Sequence, residues 1–111
     1  MSDKSVAQAE GLSKKQIKHL KGLAHPLSPV VQVGKEGLTE AVMDTIRTEL
    51  IHHELIKVKI GNNSGIDKKE ASEIVPQQSE SELVQLIGKT LILFKANKKK
   101  QKDKRIYLPK G

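Results

Sequence analysis

Apolar positions along this 111-residue chain switch between a period near 3.6 and a period near 2, and the switches mark its elements. Ser13-Lys14-Lys15-Gln16 has the spacing of a capping box, and Ile17, Leu20, Leu23 and Ala24 follow on one side of a helix. That helix should stop before Pro26, because the residue preceding a proline is pushed out of the α region. Pro26 to Pro29 form a stiff connection into a β-branched strand, Val30 to Val33. A second helix runs from Thr39, its N-cap, to about His53, with Val42, Met43, Ile46 and Leu50 on its inner face, and Glu54 ends it. In Leu55 to Ile60 the period drops to two: Ile56, Val58 and Ile60 face a core while Lys57 and Lys59 face out. Strand, helix and strand in this order make a right-handed βαβ unit, so the two strands should be parallel.

The second half continues the alternation. Gly61-Asn62-Asn63-Ser64-Gly65 is a loop by composition. Asp67 starts a third helix with Ala71, Ile74 and Val75 as its apolar stripe, and Pro76 should end or kink it. Leu83 to Ile87 and Thr90 to Lys95 read as strands joined by Gly88-Lys89, a two-residue hairpin with glycine where a type II′ turn needs it. Leu91, Ile92, Leu93 and Phe94 are apolar on both faces, the mark of an interior strand. Ala96 to Arg105 reads as a solvated basic linker, and Arg105 to Leu108 as one more edge strand.

Charge changes the picture by where it lies. Residues 95–111 hold eight basic side chains against Asp103 alone and account for the whole formal charge of +7; residues 1–94 are neutral. A lysine-rich end points to nucleic acid, to an anionic membrane surface or to solubility. The first helix adds a second basic feature, with Lys14, Lys18 and Lys21 at i, i+4 and i+7 and Lys15 beside them. This stripe is either a solvated outer face or a phosphate-facing one; no acid between Glu10 and Glu36 offsets its self-repulsion. With only Phe94 and Tyr107 aromatic, a base-stacking platform of several rings is excluded.

Most site chemistries are absent. There is no cysteine, so disulfides and thiolate chemistry are out. Gly88-Lys89-Thr90 resembles the end of a P-loop, but Leu83 stands where that motif needs glycine. His19, His25, His52 and His53 have no metal-ligand spacing, and no serine elbow occurs. Neither a catalytic residue nor a metal ligand nor a cofactor site is indicated. No apolar run is long enough to span a bilayer. What remains is Gly34-Lys35-Glu36-Gly37, a G-x-x-G loop between strand and helix. It is either an ordinary strand-to-helix turn or a phosphate site, where glycines let backbone approach a ligand and the following helix aims its free N–H groups and positive dipole end at an anion.

Leu20-Lys21-Gly22-Leu23-Ala24-His25-Pro26, Val33-Gly34 to Gly37-Leu38-Thr39-Glu40, His52 to Lys59 and Ile87-Gly88-Lys89-Thr90 together carry a resemblance. In this order they look like the chloroplast RNA splicing and ribosome maturation (CRM) domain in its stand-alone bacterial form, the YhbY-type proteins, over roughly Leu12 to Phe94. The resemblance implies an α/β fold of the two-layer α+β kind, ordered α-β-α-β-α-β-β, with a four-stranded mixed sheet similar to the C-terminal domain of translation initiation factor three. Residues 1–11 would be a flexible start, 12–95 the domain and 96–111 a basic C-terminal tail. It further implies a cytoplasmic, monomeric, non-enzymatic protein that binds RNA, ribosomal RNA of large-subunit precursors in particular, and no membrane. The RNA-binding residues would be Gly34, Lys35, Glu36 and Gly37 with the adjoining basic surface of Lys14, Lys15, Lys18, Lys21, Lys57 and Lys59. A general polyanion binder driven by the tail and a protein-interaction module are the alternatives. Two features depart from the family pattern: Glu36 places an acid inside the loop, and the match weakens after Ser72, near Pro76.

Overall fold

Residues 11–110 are described by the structure, a computed structural model; the expected flexible start lies outside them apart from Gly11. The capping box forms as its spacing predicts, with Ser13 Oγ accepting the Gln16 N–H at 3.1 Å and Gln16 Oε1 accepting the Ser13 N–H at 3.0 Å. It opens helix α1 (Lys14–Ala24), which ends at His25, before Pro26. Strand β1 (Val31–Val33) is one residue shorter than expected, although the Val30 N–H still reaches the Lys57 carbonyl at 3.0 Å. Helix α2 (Glu40–His53) is capped by Thr39, and strand β2 (Leu55–Ile60) returns parallel to β1 with Val31 beside Val58 and Val33 beside Ile60. This is the βαβ unit that the pattern predicts.

Helix α3 (Lys68–Ser79) is not ended by Pro76, which is buried with three helical residues beyond it. Bonds beyond the proline hold the last turn. Ser79 Oγ donates to the Val75 carbonyl at 2.6 Å, the Ser81 N–H donates to the Pro76 carbonyl at 2.9 Å, and Glu80 turns out of the helix at φ +55. Strands β3 (Glu82–Ile87) and β4 (Thr90–Phe94) then form the hairpin, with Gly88 at φ +58 as a II′ turn requires.

Among the described residues the sheet has the order β1-β2-β4-β3, mixed, with β4 antiparallel to both neighbours. Its two faces carry separate cores. Val33, Ile56, Val58, Ile60, Leu91 and Leu93 pack under α2 and α3, while Leu55, Val84, Ile92 and Phe94 pack under Leu12, Leu20 and Ala24 of the α1 region. The α+β class and four-stranded mixed sheet are as expected. Helices on both sides make three layers in place of two, because a strand buried on both faces needs cover on both.

The C-terminal stretch has the exposed lysines expected of it but forms no edge strand, and its backbone is held against the domain. After a short 3-10 turn at Lys102–Lys104, Ile106 and Leu108 pack onto the α1-side core, and Gln16 Nε2 donates to the Pro109 carbonyl at 2.8 Å. The alternation that suggested a strand instead matches two apolar anchors on a chain lying along α1.

Glu82, at the start of β3, sits against the backbone of Gly11, and burial pushes its carboxyl above the usual range. The folded chain therefore holds this proton to a higher pH than the unfolded chain, and stability falls as pH rises through that interval. Glu82→Gln should accordingly melt above the parent at pH 7, with the difference closing near pH 3, below the unfolded carboxyl value of about 4.3. Melting curves of both proteins at the two pH values check this.

Candidate functional site

Three loops meet at the end of the sheet where the parallel strands β1 and β2 finish. The first is Gly34 to Gly37: the Gly37 N–H donates to the Gly34 carbonyl at 2.9 Å, closing a tight turn with Lys35 and Glu36 exposed at its corners. Only Gly37 uses glycine's freedom, at φ +76, where a Cβ would also come within 3.3 Å of the Ser64 carbonyl oxygen; around Gly34 there is open space. The second is the 61–65 loop. Its Gly61 donates to the Val33 carbonyl at 2.9 Å, and a Cβ there would lie 2.7 Å from that oxygen. The third is the β3–β4 turn, where the Lys89 carbonyl accepts the Ile60 N–H at 2.7 Å and the Lys89 ammonium reaches Asn62 Oδ1. The second and third loops are thus tied by backbone to the ends of β1 and β2, and the turn lies close against Ser64 of the second.

The turn leads directly into α2. Thr39 Oγ1 accepts the Val42 N–H at 3.1 Å, and the Thr39 N–H donates to the Gly37 carbonyl at 3.1 Å. The N–H groups of Lys35, Glu36, Leu38, Glu40 and Ala41 have no acceptor among the described residues. Such a set at a helix start suits an anion. The acid in this first helical turn, Glu40, is occupied: Arg47 Nη1 lies 3.2 Å from Glu40 and 2.7 Å from Asp44, and these contacts, the Glu40 hydrogen bond first, raise the guanidinium pKa further. Glu36 has no basic partner among the described residues.

The other expected residues divide. Lys14, Lys15, Lys18 and Lys21 are all exposed on α1, with no carboxylate within ion-pair distance among the described residues. The C-terminal chain covers one flank of α1, touching Gln16 and, through Tyr107, His19. At 100° per residue, Lys14, Lys18 and Lys21 lie on the other flank, toward the part of the sheet that carries Lys59. Lys59 is exposed beside Gln32 and Thr90. Lys57 points to the same side, but its ammonium donates to the Leu27 carbonyl at 2.9 Å and lies 3.4 Å from that of His25, so it holds the α1–β1 connection in place. Lys89, which the sequence reading passed over as a hairpin residue, joins Lys35 and Lys59 at the loop end. Its proximity to Asn62 is a tertiary fact with no local signal. Among the described residues no three metal-ligating side chains gather, and no helix is long and apolar enough to cross a membrane.

Comparison with known proteins identifies the family. The CRS1 / YhbY (CRM) domain model matches residues 12–95. The chain belongs to the CRM-domain family. Among relatives, a Haemophilus influenzae protein named "RNA-binding protein" is 40% identical over 99 residues, covering 89% of this chain and 96% of that one. The Bacillus subtilis "Probable RNA-binding protein YqeI" is 40% identical over 88% of this chain and 99% of its own. The solution structure of SAV1595 from Staphylococcus aureus, a hypothetical protein described as a candidate RNA binder, superposes with a TM-score of 0.71 at 38% identity, covering 88% of this chain and 99% of that one. The CRM match takes in the turn, α1 and the 61–65 loop.

The two glycines of the turn should respond differently to a methyl group. Gly37→Ala places a Cβ in the left-handed region and should lose about 1–2 kcal/mol of stability, whereas Gly34→Ala should fall within about 0.5 kcal/mol of the parent. Urea denaturation of the two variants measures both.

Proposed function

We propose that this protein is a non-enzymatic RNA-binding protein that grips the phosphate backbone of structured ribosomal RNA and acts in assembly of the large subunit. The observation that carries the reading is the exposed Gly34–Gly37 turn, inside the family-matched segment, with N–H groups behind it and lysines around it that have no partner among the described residues. The names borne by the relatives supply the ligand class. Backbone N–H groups at the turn and at the start of α2 donate to one phosphate, with the helix dipole adding to the attraction. Lys35, Lys59 and the α1 lysines Lys14, Lys15, Lys18 and Lys21 meet phosphates on either side. Glu36 lies outward at a corner of the turn, so affinity there comes from backbone and neighbours. The near absence of aromatic rings fits recognition of RNA shape and backbone in preference to stacked bases.

Binding to a structured fragment of large-subunit ribosomal RNA, measured against salt, tests this. Lys35→Ala, Lys18→Ala and Lys59→Ala should each lower the log–log salt slope by about one. Gly34→Asp has room for its side chain, so it should fold as the parent does while binding at least about tenfold more weakly, because a side chain there blocks the close backbone approach to a phosphate that glycine allows. Should Gly34→Asp bind like the parent while neutralising the tail lysines abolishes binding, the protein is a tail-driven polyanion binder instead.

A further inference from the structure

The segment after β4 carries the chain's entire net positive charge, yet its backbone is held in place. The clamp is Glu54, the residue that ends α2. Its side chain is 1% exposed, and its contacts lie in the C-terminal segment. Oε2 accepts the Asn97 N–H at 2.8 Å, Oε1 accepts the Ile106 N–H at 2.9 Å, and the Lys100 ammonium stands 3.9 Å from Oε1. Burying a carboxylate is unfavourable unless such donors compensate it, so the buried Glu54 and the ordered segment require each other. Glu54 also sits at φ +64, where glycine would relieve the backbone strain; the side-chain contacts offset that strain.

Around this carboxylate the segment is knotted rather than draped. The Asn97 side chain donates to the Ile51 carbonyl at 2.9 Å and accepts the Lys99 N–H at 3.0 Å, while the Lys100 ammonium donates to the His52 carbonyl at 2.9 Å. The result is a fixed strap from which Lys98, Lys99, Lys102 and Lys104 project, all exposed and without ion-pair partners among the described residues. The strap lies where β2 begins and the Gly34–Gly37 turn lies where it ends. At ~3.3 Å per residue the length of β2 separates them by about 17 Å, beyond the ~10 Å Debye length at 0.1 M salt. The two basic regions therefore act as separate contacts.

We propose that Glu54 clamps residues 96–110 into a second, preformed binding surface for nucleic-acid phosphates, at the end of the sheet opposite the Gly34–Gly37 turn. This rests on the RNA-binding reading above and adds a second stretch of the same RNA to it.

Glu54→Gln discriminates a preformed surface from loose charge, because it makes the protein one unit more positive while replacing one acceptor of the clamp with a donor. Loose charge predicts equal or tighter binding. A preformed surface predicts binding of the ribosomal RNA fragment about five- to tenfold weaker, with faster amide exchange over residues 97–106 and unchanged protection in the sheet. Equal or tighter binding by a variant with that exchange pattern overturns the proposal. A second variant leaves the clamp intact: Lys98→Gln, Lys99→Gln, Lys102→Gln and Lys104→Gln combined. Hydroxyl-radical footprinting of the RNA should show two protected stretches with the parent protein, one of which this variant loses while Gly34→Asp loses the other. If the fourfold variant keeps both stretches, the strap makes no RNA contact and the proposal fails; if only Gly34→Asp keeps both, it is the loop reading that fails.

Discussion

Strand β4 is the constraint from which the layering follows. Leu91 and Leu93 belong to the core under α2 and α3, Ile92 and Phe94 to the core under α1, and all four are buried. A strand so apolar on both sides, hydrogen-bonded to β2 and β3 at its two edges, leaves water no face to meet. Both faces of the sheet must then be covered. The βαβ crossover and α3 cover one, which leaves α1 and the C-terminal strap to cover the other. Because α1 is sandwiched between sheet and solvent, its lysines are all driven to the outer side.

The parallel pairing of β1 with β2 fixes where the turn stands. A parallel crossover brings both strands to finish at one end, and there Gly61 packs so closely on the Val33 carbonyl that a side chain would not fit. Gly37 is likewise seated against Ser64. The Gly34–Gly37 turn is thus braced from beneath by the 61–65 loop. Rigid presentation matters for a backbone site, since N–H groups that need no ordering lose less entropy when they meet a ligand. Crevices at the carboxyl ends of parallel strands are where open α/β sheets commonly bind ligands, for this same reason of connectivity.

Features set by neighbours in sequence were legible. The Ser13 capping box, the alternation of Lys57 and Lys59 against Ile56, Val58 and Ile60, the II′ hairpin at Gly88 and the doubly apolar β4 all follow from local spacing, and the family motifs fixed their order. What sequence reading missed depends on distant partners. Pro76 obeys the local rule by lacking its N–H, but the hydroxyl of Ser79 and the amide of Ser81 hold the last turn anyway. Ile106 and Leu108 alternate as a strand would, yet they pack beside Phe94 on Leu55 and α1, some fifty residues or more away in sequence. Lys57 faces the side that alternation predicts, but its hydrogen bonds to Leu27 and His25 could not be read from spacing. Within the candidate site, the turn and the α1 lysines were visible in the sequence, whereas Lys89 and the bracing by Gly61 and Ser64 were not.

Three glutamates show how position decides what an acid does in a basic chain. Glu40, in the first turn of α2, is paired with Arg47 and adds little negative field at the turn. Glu36 is exposed, so water screens it, and its repulsion of a phosphate is correspondingly small beside contacts made directly by backbone N–H groups. Glu54 is buried, and its charge is compensated by hydrogen bonds from the segment that carries the lysines. Since charge is felt most strongly where water is excluded, this one buried acid organises the cations around it, while the exposed one leaves the turn's affinity in the hands of its backbone.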